Sequence, residues 1–97
     1  MTMNETQKTI EQWRLETFGV GRKSVLAARM NVEVAELLLA VSQLDNDAYM
    51  EMADVYIVLV CLAEQYGVDL QELVNTKMRI NRQRKWHIQS GGVGQHI

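Results

Sequence analysis

The sequence predicts an all-α protein, an antiparallel bundle of four main helices completed by oligomerisation. Three observations lead there. The chain has no proline, and its six glycines lie near element ends or in the tail, so nothing interrupts long helices. Capping residues and glycines punctuate it at intervals of helical length. The connections between these segments are short, which makes consecutive helices antiparallel neighbours.

The first helix is predicted from about Glu5 to Thr17. Thr2 with Glu5, or Asn4 with Gln7, is a candidate capping pair at its start. Ile10 and Trp13 share one face, and Gly19 and Gly21 end the pattern. The second helix runs from about Arg22 to Ser42. The segment 42–47 reads as a turn, with Asn46 or Asp47 as a cap for the third helix. That helix continues to about Tyr66, where Gly67 is a suitable stop. Asp69 with Glu72 caps the fourth, which is expected to reach about Trp86. The tail beyond it, SGGVGQHI, has no periodicity. The expectation is a single domain over 1–97, with 86–97 as a tail that is mobile or docked on a neighbouring subunit.

The third helix is apolar nearly all round, from Val55 to Ala63. Such a helix needs cover on every side. Three partner helices from one short chain would struggle to supply it, because a domain this small buries only about 60% of its unfolded surface. A homodimer or dimer of dimers is therefore expected.

Composition narrows the function. A net charge of −2 argues against a nucleic-acid-coating protein, which is usually strongly basic. One cysteine (Cys61) and two histidines (His87, His96) exclude an intrachain disulfide and cannot build a Cys/His zinc site. Cys61 lies in an apolar run and reads as a small core residue. The N-terminal segment is polar and acidic, unlike a secretory signal. The apolar run from Val55 to Ala63 is too short for a membrane span of about 20 residues. A cytoplasmic protein with no membrane or nucleic-acid partner is expected.

The chemistry concentrates in four carboxylates. Glu33 and Glu36 interrupt the apolar second helix three residues apart, so they share a face. Glu51 and Asp54 have the same spacing at the head of the third helix. In an antiparallel pair, facing residues have nearly constant index sums. Glu33 with Asp54, and Glu36 with Glu51, both sum to 87, which centres the pairing on the predicted turn. Both pairs then meet at one level, about 10 Å from the turn. Four such charges repel strongly and need a counter-charge. All-oxygen ligation suits a hard cation, Mg²⁺ or Mn²⁺, and Mg²⁺ in turn suits a phosphate-bearing substrate. A di-iron bundle would need Glu-x-x-His motifs, and the chain has none. The bland reading is a pair of solvated helix faces, since Glu is a good helix former.

The segment from Lys77 to Trp86 holds five of the ten basic residues. Lys77, Asn81 and Arg84 fall at i, i+4 and i+7, a face able to hold a polyphosphate. Cations also simply favour a helix C-terminus, and Trp86 leaves an RNA-contact helix open. Gly19-Val-Gly21-Arg-Lys23-Ser24 lacks the spacing of a phosphate loop and reads as a turn before a helix. Trp13 and Phe18 suit a core, and beside this turn they are also candidates for contacting a nucleobase.

Glu33-x-x-Glu36, fourteen residues, then Glu51-x-x-Asp54 resembles the metal motif of the all-α nucleoside triphosphate pyrophosphohydrolases, the MazG family. Lys77-x-x-x-Asn81-x-x-Arg84-x-Trp86 resembles the basic motif found after it in many members. The match spans roughly Trp13 to Trp86. The resemblance implies a helical protomer whose active site is completed in a dimer or dimer of dimers. It also implies Mg²⁺-dependent cleavage of (d)NTPs, deoxynucleotides foremost, between the α- and β-phosphates, in nucleotide-pool housecleaning. Glu33, Glu36, Glu51 and Asp54 would then hold the metal, with Glu36 assisting deprotonation of water. Lys77, Asn81 and Arg84 would contact phosphates or sugar. Members close to dCTP-specific enzymes often carry His after the aromatic matching Phe18. Gly19 stands there, so base preference does not carry over. The competing readings are a related pyrophosphohydrolase acting on phosphoribosyl-ATP and a non-catalytic helical interaction or RNA-binding module.

Overall fold

Four helices carry the chain in the computed structural model, which describes residues 4–88, 92 and 94–96. They are α1 (Gln7–Phe18), α2 (Lys23–Ser42), α3 (Ala48–Gln65) and α4 (Leu70–Gln83). Two short strands, β1 (Trp86–Ile88) and β2 (Gly94–His96), come after them. The helices are those expected, with differences at the ends that have local causes.

Helix α1 is capped by Thr6, not by the earlier residues that the sequence suggested. Thr6 Oγ1 accepts from the Thr9 N–H at 3.2 Å, and Thr9 Oγ1 accepts from the Thr6 N–H at 2.7 Å. Threonine here does the reciprocal work usually left to Glu or Gln. Thr2 lies outside the described residues. The helix ends at Gly19, whose φ of +79° places it in a region only glycine occupies freely, while its N–H donates to the Leu15 carbonyl. Gly67 (φ +70°) stops α3 in the same way, as expected.

The α2–α3 turn is closed by backbone bonds from Leu44 to Val41 and from Asp45 to Ala40. Asp47 occupies the N-cap position of α3 without a side-chain cap. Asp45 is the residue that acts, its Oδ1 accepting from the Asp47 N–H at 2.9 Å. This tight reversal lays α2 along α3, the most extensively packed pair of the fold, and α1 packs on α3 as well.

Helix α4 begins as expected, with Asp69 Oδ1 accepting from the Glu72 N–H at 3.0 Å. It ends three residues earlier than expected, because Arg84 is extended (φ −86°, ψ 151°). The Trp86 indole N–H donates to the Asn81 carbonyl at 2.9 Å, satisfying one of the acceptors left open at a helix end. Part of the tail forms a short ribbon: β1 and β2 pair antiparallel, Trp86 opposite His96 and Ile88 opposite Gly94. The absence of periodicity did not foretell this ribbon, since three-residue strands carry almost no pattern.

The core is thin. Leu26, Ala40, Val60, Cys61 and Ala63 are its buried apolar residues. Beside them lies a buried ion pair in which Arg14 Nε donates to Glu11 Oε1. Burial and the Glu11 charge push the Cys61 thiol up, against the opposing influence of Arg14. A core thiol is what the sequence suggested. Helix α3, however, is not covered on every side by its own chain: Tyr56 is 52% exposed and Leu59 37%. On α2, Leu38 and Leu39 are also exposed. The radius of gyration is 16.0 Å, against about 12.5 Å for a compact domain of this length. The accessible surface is 7898 Å², against roughly 5,700 Å² for a compact monomer of this mass.

Helix α4 buries no residue and makes few contacts with α3. Its start is tied down locally: Gln7 Nε2 donates to the Val68 carbonyl at 2.6 Å, and Gln7 Oε1 accepts from the Leu70 N–H at 3.0 Å. Its stability therefore leans on its cap. Asp69→Ala should cost about 1 kcal/mol and should raise amide exchange in α4 selectively, leaving α2 and α3 as protected as before. Unchanged exchange in α4 would show that the cap does not hold this helix.

Candidate metal centre

The α2–α3 hairpin delivers three of the four expected carboxylates to one place. One oxygen each from Glu33, Glu36 and Glu51 lies within 4.8 Å of the others. Glu33 is buried, Glu51 half-buried and Glu36 exposed. The equal index sums find their reason here, because Glu36 on α2 and Glu51 on α3 meet across the helix pair at the level that the turn dictates. Asp54 does not join the group. It is exposed and one methylene shorter than a glutamate, although its charge is still felt at Glu51.

The environment of Glu51 shows how unbalanced this cluster is. Burial first, then the charges of Glu36, Asp54, Glu33 and Asp47, raise its carboxyl above the usual carboxylate range. A raised carboxyl binds its proton more tightly in the folded chain than in the unfolded one. Its contribution to stability is thus present at acid pH and is lost as pH rises through the folded value. Glu51 Oε2 is also buried and has no hydrogen-bond partner among the described residues. A buried, unpartnered carboxylate oxygen among like charges is costly, and a cation would remove both costs. The donor set is all oxygen, which fits Mg²⁺ or Mn²⁺.

A counter-charge that the sequence pattern did not single out sits beside the cluster. Arg29 Nε donates to Glu33 Oε1 at 3.0 Å, and its Nη2 lies 2.9 Å from the same oxygen as an ion pair. The i,i+4 spacing of Arg29 and Glu33 was the available signal. The same spacing logic at i,i+3 would have found the buried Glu11–Arg14 pair.

Arg29 also lines a cavity of about 730 Å³ between α1, the 19–22 turn, α2 and α3. Trp13, Phe18, Val25, Leu26, Ile57 and Val58 form its apolar wall, and Arg14 and Arg22 add charge. Its size and lining are those of a small-molecule site. Trp13 and Phe18 meet edge to face, centroids 5.7 Å apart. They are 51% and 72% exposed, so within one chain they are not core residues. Arg14 Nη1 donates to the Gly19 carbonyl at 3.3 Å and braces the turn. A β-carbon at Gly21 would meet that same nitrogen at 3.2 Å. Lys23, at the start of α2, lies over the Tyr66 ring at 4.6 Å.

The basic stripe is placed differently from the carboxylates. Lys77 is exposed, Asn81 and Arg84 half-buried. Arg84 lies past the last helical residue, so the shared helical face holds only for Lys77 and Asn81. Among the described residues no ion pair joins Lys77 or Arg84 to Glu33, Glu36, Glu51 or Asp54. Asn81 Oδ1 is buried without a hydrogen-bond partner among the described residues.

No protein-family model matches the chain. Individual relatives do. The chain is 35% identical over 96 residues to a dATP/dGTP diphosphohydrolase of Salmonella phage PMBT28, of whose length it spans 32%. It is 32% identical over 96 residues to the dATP/dGTP diphosphohydrolase of Cyanophage S-2L, and there it spans 89% of the relative. Among solved structures it is similar to the Cyanophage S-2L MazG-like pyrophosphohydrolase bound to dGDP and three catalytic Mn²⁺ ions per active site. The TM-score is 0.80 and the identity 33%, over 94% of this chain and 92% of the other. A shared helical architecture and 32% identity over 89% of the cyanophage protein together place this chain in the MazG-like pyrophosphohydrolase family.

Proposed function

We propose that the chain hydrolyses deoxynucleoside triphosphates, purine ones foremost, to the monophosphate and pyrophosphate with Mg²⁺ or Mn²⁺, removing them from the nucleotide pool. The observation that carries this is the Glu33–Glu36–Glu51 group with its unpartnered Glu51 oxygen. The preference for purines rests on the relatives, which are named for dATP and dGTP.

On this reading Glu33, Glu36 and Glu51 hold the metal, with Asp54 at the margin. The cation, when bound, polarises a phosphoryl oxygen and lowers the pKa of a bound water. Glu36 is the exposed member of the group and accepts the proton of the attacking water. Trp13 packs against the base in the aromatic cavity. Lys77, Asn81 and Arg84 contact phosphates or sugar and offset charge on the leaving pyrophosphate. Within one chain these three are not paired with the acids, which supports a site completed by a second copy. The exposed apolar faces of α2 and α3 and the excess surface of the single chain support the same homo-oligomer. No helix among the described residues is long and apolar enough to cross a membrane, and a cytoplasmic setting suits a nucleotide substrate.

Three outcomes are expected. Incubated with each common NTP and dNTP, the protein should release pyrophosphate with Mg²⁺ or Mn²⁺ and none in EDTA. Glu36→Gln should lower kcat by about 10² to 10⁴, and full turnover in that variant would overturn its role. Light scattering at micromolar concentration should give the mass of a dimer or tetramer, and a monomer would refute the assembly.

A further inference from the structure

We propose that Arg29 is the resident counter-ion of the metal-free site and passes from Glu33 to the phosphate chain of the nucleotide when a divalent cation takes Glu33. The inference rests on reading the carboxylate group as a metal centre. Its own evidence is the placement of one side chain. Glu33 is a buried carboxylate, and a buried charge must be compensated. Arg29 compensates it with two nitrogens on the single oxygen Oε1. A cation bound to the group would supply that compensation instead and would repel the guanidinium.

The guanidinium then has somewhere to go. The Arg29 side chain is 58% exposed, against 8% for Glu33, so moving it costs little packing. It already borders the aromatic cavity that holds Trp13 and Phe18. It stands at the junction between that cavity and the carboxylates, where a nucleotide lying across both would place its phosphates. A planar guanidinium suits phosphate oxygens as well as it suits a carboxylate. Arg29 is thus a positioning residue that links metal occupancy to nucleotide binding: the cation frees the arginine, and the arginine favours the nucleotide in the metal-loaded protein.

The test uses Mn²⁺ binding, monitored by the loss of the free-ion electron paramagnetic resonance signal, and then dGDP binding by calorimetry at saturating Mn²⁺. Without nucleotide, Arg29→Gln should bind Mn²⁺ about three- to tenfold more tightly than the unaltered protein, because the competing cation is gone. With Mn²⁺ saturating, it should bind dGDP about tenfold more weakly. Arg22→Gln removes a cation from the same cavity wall that does not touch Glu33, and it should leave Mn²⁺ affinity within about twofold. Unchanged or weakened Mn²⁺ affinity in Arg29→Gln, unchanged dGDP affinity in it, or an equal gain in Mn²⁺ affinity from Arg22→Gln would each overturn the proposal. A side chain that only braces α2 would lower the melting temperature and move neither affinity. Glu36→Gln separates the two levels. If it binds Mn²⁺ like the unaltered protein, the metal-centre reading fails, and the proposal with it. If it loses Mn²⁺ while Arg29→Gln behaves as unaltered, the handover alone fails.

Discussion

Three carboxylates within 4.8 Å of one another repel, and the α2–α3 hairpin holds them together regardless. Each helix on its own would present its acids to water at little cost. The turn closed by Asp45, Leu44 and the Ala40 carbonyl fixes the helix register, and the register sets Glu36 against Glu51. The apolar stretches on either side bury Glu33 and half-bury Glu51, so solvent cannot screen the repulsion fully. The chain answers with Arg29 on Glu33 and leaves Glu51 Oε2 unanswered. Packing thus holds a charge imbalance in place, which a divalent cation would correct.

The rest of the molecule serves that arrangement from a slender base. Among the described residues the buried apolar core is five residues, with a Glu11–Arg14 pair beside it. Helix α1 packs on α3, and the Arg14 brace on Gly19 shapes the turn that walls the aromatic cavity. Helix α4 carries Lys77, Arg79 and Arg82 of the basic stripe but buries nothing. A chain with these proportions has far more accessible surface than a compact monomer. On the proposed assembly, its exposed apolar faces on α2 and α3 and its unburied α4 would share one remedy, a second copy that would cover the first two and give the third a neighbour.

Much of this was legible in the sequence because it depends on local rules. The absence of proline, the Asp69 cap and the Gly67 stop fix helix ends through backbone chemistry that acts within a few residues. The carboxylate cluster was legible because a short turn makes register nearly a matter of counting. Counting fails where side-chain length and exposure decide, which is why Asp54 stays outside the group. It failed again at Arg84, because no sequence pattern signals that Trp86 folds back on the Asn81 carbonyl and ends α4 early. Arg29 was visible as an i,i+4 partner of Glu33, but only the burial of Glu33 gives that pairing meaning, and burial is a tertiary fact.

Thermal unfolding as a function of Mn²⁺ concentration tests the central claim most directly, because a ligand that binds only the folded chain raises its melting temperature by mass action. If the hairpin confines three carboxylates that lack a counter-charge, the midpoint should climb steadily with Mn²⁺ in the unaltered protein, with no nucleotide present. It should stay flat when Glu33, Glu36 and Glu51 are all replaced by Gln, and that variant should melt no lower than the metal-free original. A flat response in the unaltered protein, or an equal climb in the triple variant, would contradict the account.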